Sequence, residues 1–347
     1  MIEVDGQQRS GSGTILRLAV AFSSILEEEL HIYNIRKRRA KPGLRPQHLE
    51  AVLTAAKICN AKVEGATLDS TELWYYPQKI RSGRIDASIG TAGSIPMLLM
   101  TILPICAHSK GRIILNVSQG GTDVRHAPTI NYIDWILLPT LKKMGIKSSL
   151  EITRYGYYPK GNGEISITVD PPNKLRPLKL EKFGEITRVE GISVATFLDD
   201  RRVAERQAKS AEEHLARNGI KCEIKTVNDQ SNPIQKGSSI LIRTCTDTGV
   251  ILGADSIGEI RKRSEQVGLE AARSILKEIR EKPTVDVHLS DMIVPYVAFC
   301  QEDSSILCRE MTEHLDTNIW LAQRVLDVRF EVAKKKQLLQ IKCQKKC

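Results

Sequence analysis

Apolar and polar positions along the chain switch between a period of two and a period near 3.6, and the switches mark out its elements. Residues 2–5 read as a short strand, followed by a loop of small residues from Gly6 to Thr14 and a helix over 15–21. A strand over 31–35, a helix over 49–59 and a strand around 62–64 come next. The most apolar stretches, 97–103 and 130–144, read as core helices, the second with Ile133, Ile136, Leu137 and Leu141 on one face. Each follows a glycine-rich turn that ends a strand: Gly90-Thr91-Ala92-Gly93-Ser94 before the first, Gly120-Gly121-Thr122-Asp123 before the second. Segments beginning at Asn60, Gly145 and Asn218 each close a helix and open a strand, which predicts recurring units of strands backed by helices.

From about residue 185 to 282 the glycine-rich loops vanish. A helix over 204–217, strands over 222–227, 239–244 and 249–254, and a helix over 264–279 read as a self-contained α/β insert. Residues 285–295 then read as a strand running into a helix, with Asp291 near the helix start, and strands over 328–332 and 338–343 close the chain. Between them, Asp316, Thr317 and Asn318 precede apolar positions at Ile319, Ala322, Val325 and Leu326, which predicts a helix beginning there and His314 just ahead of it. A helix N-terminus offers unpaired N–H groups and partial positive charge, an environment that suits a phosphate. The residues alone leave His314 as either a packed histidine or a reactive one.

Composition narrows the setting. A chain of 347 residues implies two domains or one with an insertion. Its longest apolar stretch, 95–107, is too short to span a membrane and contains two prolines, and the N-terminus lacks the look of a signal peptide, so a cytoplasmic protein is expected. A formal charge of +10 favours a polyanionic partner, although Lys334, Lys335, Lys336, Lys342, Lys345 and Lys346 concentrate part of it in the last segment. The eight cysteines contain no CxxC pair, which argues for reduced thiols and against zinc. The Gly6–Thr14 loop has neither a Walker A lysine nor a GxGxxG run. The segment from Arg36 to His48 puts five basic residues into six positions and then turns at Pro42-Gly43; it reads as a rigid phosphate-gripping loop or as a solvated basic edge.

Several of these motifs together resemble the RNA 3′-terminal phosphate cyclases. They are Arg39 to Leu49, Gly90 to Ser94, Gly120 to Asp123 with Ala127-Pro128, Tyr155 to Gly163, and His314-Leu315 with Thr317-Asn318, in that order across nearly the whole chain. The resemblance implies an α/β (α+β) fold: a large catalytic domain over 1–183 and 283–347, built of three repeated units of a four-stranded sheet plus two helices, and a small α/β insert domain over 184–282. It implies an ATP-dependent enzyme in which a histidine takes AMP from ATP, passes it to the 3′-terminal phosphate of RNA, and lets the neighbouring 2′-hydroxyl displace it to leave a 2′,3′-cyclic phosphate. His314 matches the nucleophile, and Arg17 resembles a triphosphate contact. Met100, Pro128, Tyr132, His288, Leu289, Ser290, Asp291 and Met292 match the nucleotide site, with Tyr132 in the place of an adenine-stacking ring. Arg36, Arg39, Lys41, Arg45, Gln47 and His48 match the grip on the RNA end. A divalent metal, Mg or Mn, is implied, with Asp291 as a ligand.

The chain also departs from the pattern. Ser10 stands where a metal-associated glutamate is usual, Met100 and Met292 where glutamines are common, and His288 where a tyrosine is frequent, which implies that adenine is held by stacking and shape. The alternatives are a silent cyclase-like RNA-binding protein of ribosome maturation, from which the retained His314 discriminates, and an enolpyruvyl-transferase, which would lack a nucleophilic histidine and has no use for ATP.

Overall fold

In the computed structural model, which describes residues 1–345, three similar units surround one continuous apolar core. Lys346 and Cys347 lie outside the described residues. The first unit consists of β1 (Ile2–Asp5), α1 (Gly13–Leu26), β2 (Leu30–Tyr33), α2 (Pro46–Cys59), β3 (Lys62–Glu64) and β4 (Leu73–Tyr76), with sheet order β1-β2-β4-β3. The second repeats it with β5 (Gly83–Ser88), α3 (Ile95–Cys106), β6 (Ile113–Gly120), α4 (Ile130–Tyr132), a π turn over Ile133–Leu137, α5 (Leu138–Lys143), β7 (Lys147–Arg154) and β8 (Gly163–Asp170), in the order β5-β6-β8-β7. In both units the first two strands are parallel and joined across a helix, as a βαβ crossover requires. The turns at Asn60, Gly145 and Gly219 all adopt positive φ, the left-handed conformation that ends a helix.

A second four-stranded sheet type follows: β9 (Ile186–Thr196), α6 (Val203–Arg217), β10 (Glu223–Asp229), β11 (Gly237–Thr246), β12 (Ile251–Ile257) and α7 (Ser264–Glu281), in the order β10-β9-β11-β12. It carries a separate apolar cluster that includes Ile240, Ile242, Leu252, Ala271 and Ile275. The last unit contains α8 (Val287–Val297), β13 (Ser304–Cys308), α9 (Glu313–Val325), β14 (Val328–Lys335) and β15 (Leu338–Lys345), with order β13-β15-β14.

That unit corrects the expected four strands to three. The fourth position is filled by a single parallel bridge: Leu180 N donates to Ser305 O at 2.8 Å and Ser305 N to Leu178 O at 2.9 Å. The chain therefore enters the third unit at residues 178–180, detours through the insert, and returns at α8. The strand expected at the start of 285–295 is absent as well. Asp286 instead accepts from the backbone N–H groups of His288 and Leu289 and caps α8, so the segment is already helical where a strand was read. Among the described residues no helix is long and apolar enough to cross a membrane.

Candidate active site

The helix carrying His314 starts earlier than the capping pattern suggests. Thr312 is its N-cap, accepting from Leu315 N at 2.9 Å, and His314 lies in the first turn of α9. The three residues read as caps are inside the helix with other partners. Asp316 pairs with Arg9 at 3.2 Å, Thr317 Oγ1 donates to Glu313 O at 2.6 Å, and Asn318 Nδ2 donates to Asp291 O at 2.8 Å. Ser10 N donates to Thr317 Oγ1 at 3.2 Å, so the first loop of the chain is fastened to this helix.

That fastening brings two helix N-termini together. Thr14, in the first turn of α1, places its Oγ1 3.1 Å from His314 Nδ1, and Arg17 Nη2 donates to the same oxygen at 3.1 Å. His314 is half-buried, and burial, followed by the charges of Arg17 and Arg39, holds its pKa below the usual imidazole value. The ring is therefore neutral, with an unprotonated nitrogen, at neutral pH.

Arg17 is the most unusual group in the site. Its residue is 7% exposed, and among the described residues its guanidinium has no carboxylate within ion-pair distance and one hydrogen-bond partner, Thr14. Burial and the nearby Arg36 lower its pKa to about 10. His48 packs against the same helix start, also buried; burial and the charges of Arg17, Arg36 and Arg45 hold its pKa down to about 2. A Cβ on Gly13 would fall 2.1 Å from His48 Nε2 and 3.0 Å from Arg17 Nη1, so only glycine lets both side chains lie against the helix end. A buried cation without a counter-ion is costly, and the natural compensation is an anionic ligand.

The basic loop divides by role. Arg36 Nη1 donates to the carbonyls of Lys41 and Gly43 at 2.7 and 2.8 Å and staples the loop shut. Arg45 pairs with Asp69, and its backbone N–H donates to His48 Nδ1 at 3.3 Å. Gln47 Oε1 accepts from Ser94 N at 2.8 Å and ties α2 to the Gly90–Ser94 turn. Of the six residues matched to the RNA end, Arg39 and Lys41 are exposed cations with no carboxylate partner among the described residues, and Arg39 is near enough to act on His314.

The nucleotide positions divide in the same way. Tyr132 is fully buried, donates its hydroxyl to Asp286 Oδ1 at 2.6 Å, and meets His288 edge-on with ring centroids 6.2 Å apart. His288 is exposed and supplies the open aromatic face of this pair. Leu289, Ser290 and Met292 are buried in α8, whereas Met100 and Pro128 are half-exposed. Beside Pro128 a cleft of about 390 Å³, lined by Arg125, His126, Asp255, Ser256, Glu259 and Lys262, separates the second glycine-rich turn from β12.

Asp291 is buried, and burial raises its pKa to about 7. Its Oδ1 accepts from Thr312 Oγ1 at 2.5 Å, so it braces the cap of the His314 helix. Ser10 and Ser12 hydroxyls lie 3.0 Å apart and satisfy each other. Among the described residues no three His, Cys, Asp or Glu side chains gather as a metal site. The donor set here, one carboxyl already engaged and two hydroxyls, does not fit a divalent ion held by the protein. The group that the motifs missed is Thr14. Nothing local distinguishes it from other small residues of the loop, since its partner is 300 positions away.

The family model for RNA 3′-terminal phosphate cyclase matches residues 8–332. The chain is 37% identical to the RNA 3′-terminal phosphate cyclase of Pyrobaculum aerophilum over 334 residues, 96% of this chain and 95% of that protein. It is 40% identical to that of Pyrococcus abyssi over 332 residues, again 96% and 95% of the two chains. With that of Methanococcoides burtonii the identity is 37% over 349 residues, 99% of this chain and all of the other.

Proposed function

The chain belongs to the RNA 3′-terminal phosphate cyclase family, and on that premise we propose that it uses ATP to convert an RNA 3′-terminal phosphate into a 2′,3′-cyclic phosphate through AMP carried on His314. The observation that carries this reading is the buried chain Arg17–Thr14–His314, with an unpaired cation at one end and a neutral imidazole at the other. Thr14 Oγ1 takes the Arg17 N–H on one lone pair and has a second lone pair for Nδ1–H. That tautomer leaves Nε2 unprotonated to attack the α-phosphate, forming the N–P bond as the bond to pyrophosphate breaks. Arg17 faces the negative charge that develops on the phosphates.

In the second step a 3′-phosphate oxygen of RNA attacks the same phosphorus and the N–P bond breaks, returning the electron pair to Nε2. The 2′-hydroxyl then displaces AMP, losing its proton as the cyclic diester closes. Two transfers through a nitrogen nucleophile replace one difficult one. His288 and Pro128 offer the open surfaces against which adenine can stack. A divalent ion, Mg or Mn, would come with ATP and offset the charge of its triphosphate, and a cytoplasmic location fits such a substrate pair. Incubation with α-labelled ATP and a 3′-phosphate RNA tests the proposal: label should pass from protein to free AMP as cyclic ends appear, and cyclic ends without any labelled protein would exclude the histidine route.

Two substitutions separate the parts. Thr14→Val keeps the shape and removes the hydroxyl; protein adenylylation should fall about tenfold, the worth of one buried hydrogen bond, while Thr14→Ser should retain most of it. Unchanged adenylylation in the valine variant would remove Thr14 from the site. Arg39→Ala should slow AMP transfer to RNA about tenfold, a loss of about 1.4 kcal/mol, and largely spare adenylylation of the protein. Equal loss in both steps, measured by single-turnover label transfer, would assign Arg39 to the nucleotide instead.

A further inference from the structure

Charges on the two insert helices fall into two sets. Along α6 the cations are matched: Arg206 pairs with Glu265 at 2.7 Å, and Lys209 and Arg217 pair with Glu213 at 3.9 and 3.4 Å. On the C-terminal half of α7, where it meets the end of α6, they are not. A groove of about 460 Å³ there is lined by His214, Asn218, Arg273, Lys277, Arg280 and Glu281. Arg273, Lys277 and Arg280 are exposed and follow the i, i+4, i+7 spacing of one helix face. Among the described residues none of the three has a carboxylate within ion-pair distance. Arg280 Nη2 donates to Asn218 Oδ1 at 2.6 Å, which fixes its guanidinium across the helix junction.

The groove is joined to the frame of the candidate active site. Glu281 on its rim lies 3.8 Å from Arg309, and Glu278, one turn earlier, meets the same arginine at 3.0 Å. Arg309 stands at the end of β13, five positions before His314. The one apolar lining residue, Leu276, is only 6% exposed. A protein partner needs an apolar centre to its contact, whereas a nucleic-acid backbone needs spaced cations. Arg273 and Arg280 stand roughly 10 Å apart along the helix axis, a span that a few nucleotides of single strand cover.

We propose that this groove binds the phosphodiester backbone of the RNA strand upstream of the 3′-terminal phosphate presented to His314. The inference rests on the reading of RNA as substrate. The insert then acts as a clamp on the body of the strand while the Arg39 loop handles its end, so longer RNAs bind more tightly.

Fluorescence anisotropy of 3′-phosphate RNAs of about six and about twenty nucleotides, across a salt series, tests it. The unaltered protein should favour the longer RNA and show the steeper salt dependence with it. In the double variant Arg273→Glu, Lys277→Glu, affinity for the longer RNA should fall about tenfold and its log–log salt slope by about 1.4, two contacts at about 0.7 each. The shorter RNA and AMP uptake by the protein should be unaffected. Arg273→Gln, Lys277→Gln should move the same quantities less. Equal loss for both RNAs, no loss for either, or loss confined to an acidic peptide such as polyglutamate would overturn the proposal. Absence of labelled AMP on the protein, with length-dependent RNA binding intact, would instead strike the catalytic reading and leave the groove in place.

Discussion

His314→Ala is expected to give a folded protein that takes up no label from α-labelled ATP under any divalent-metal condition. The residue is half-buried in the first turn of α9, where Thr312, not His314, caps the helix. Its loss should therefore cost the fold little, within the ordinary range of about 0.5–1 kcal/mol for such a position. In the proposed reaction it removes the attacking atom itself, a loss of many orders of magnitude. The adduct in the unaltered protein should be labile in acid and stable in alkali, as a phosphoramidate is. Its formation has a direction with pH as well. Attack needs the neutral ring, and burial with Arg17 and Arg39 lowers the His314 pKa, so adenylylation should stay at full rate as pH falls through the ordinary imidazole range near 6.5 and decline only below it. A decline beginning above that range, or label retained by His314→Ala, would place the nucleophile elsewhere.

Arg17→Met should separate stability from activity. A buried guanidinium with one hydrogen bond and no carboxylate destabilises the ligand-free fold. Methionine occupies similar length without charge, so the variant should be more stable by about 1 kcal/mol, a rise in Tm of about 1–2 °C for a chain of this size. Adenylylation should fall about 10²-fold, because the charge proposed to face the departing pyrophosphate is gone. ATP should also raise the Tm of the unaltered protein more than that of the variant, since only there does it meet a waiting cation. A variant that is less stable, or that keeps its activity, would mean that Arg17 is a structural group.

How much of this was legible in advance differs from element to element. The helices at 49–59, 204–217 and 264–279 lie within one or two residues of their predicted ends at most boundaries, because an amphipathic period and a left-handed turn are local properties. The start of α9 lay elsewhere because Thr312, Asp316, Thr317 and Asn318 could all cap, and contacts of the last three with Arg9, Ser10 and Asp291 leave Thr312 as the cap. The third sheet was misread for a related reason: residues 178–180 pair with β13 only because the insert loops out between them. Likewise the motif that marked Tyr132 could not show its hydroxyl buried on Asp286, 154 positions on, with the exposed ring passing to His288.

What the sequence determined by itself is therefore most of the helices, the recurring strand–helix units and the family, all carried by short-range pattern or by motifs in order. Tertiary structure alone decided which loop cations lack a carboxylate partner among the described residues, that Asp291 braces a helix cap, and that Arg17 is buried with Thr14 as its hydrogen-bond partner. It also decided that Thr14 meets His314. Those facts depend on which surfaces water leaves and which distant backbones are pressed together, and no local pattern in a chain encodes either.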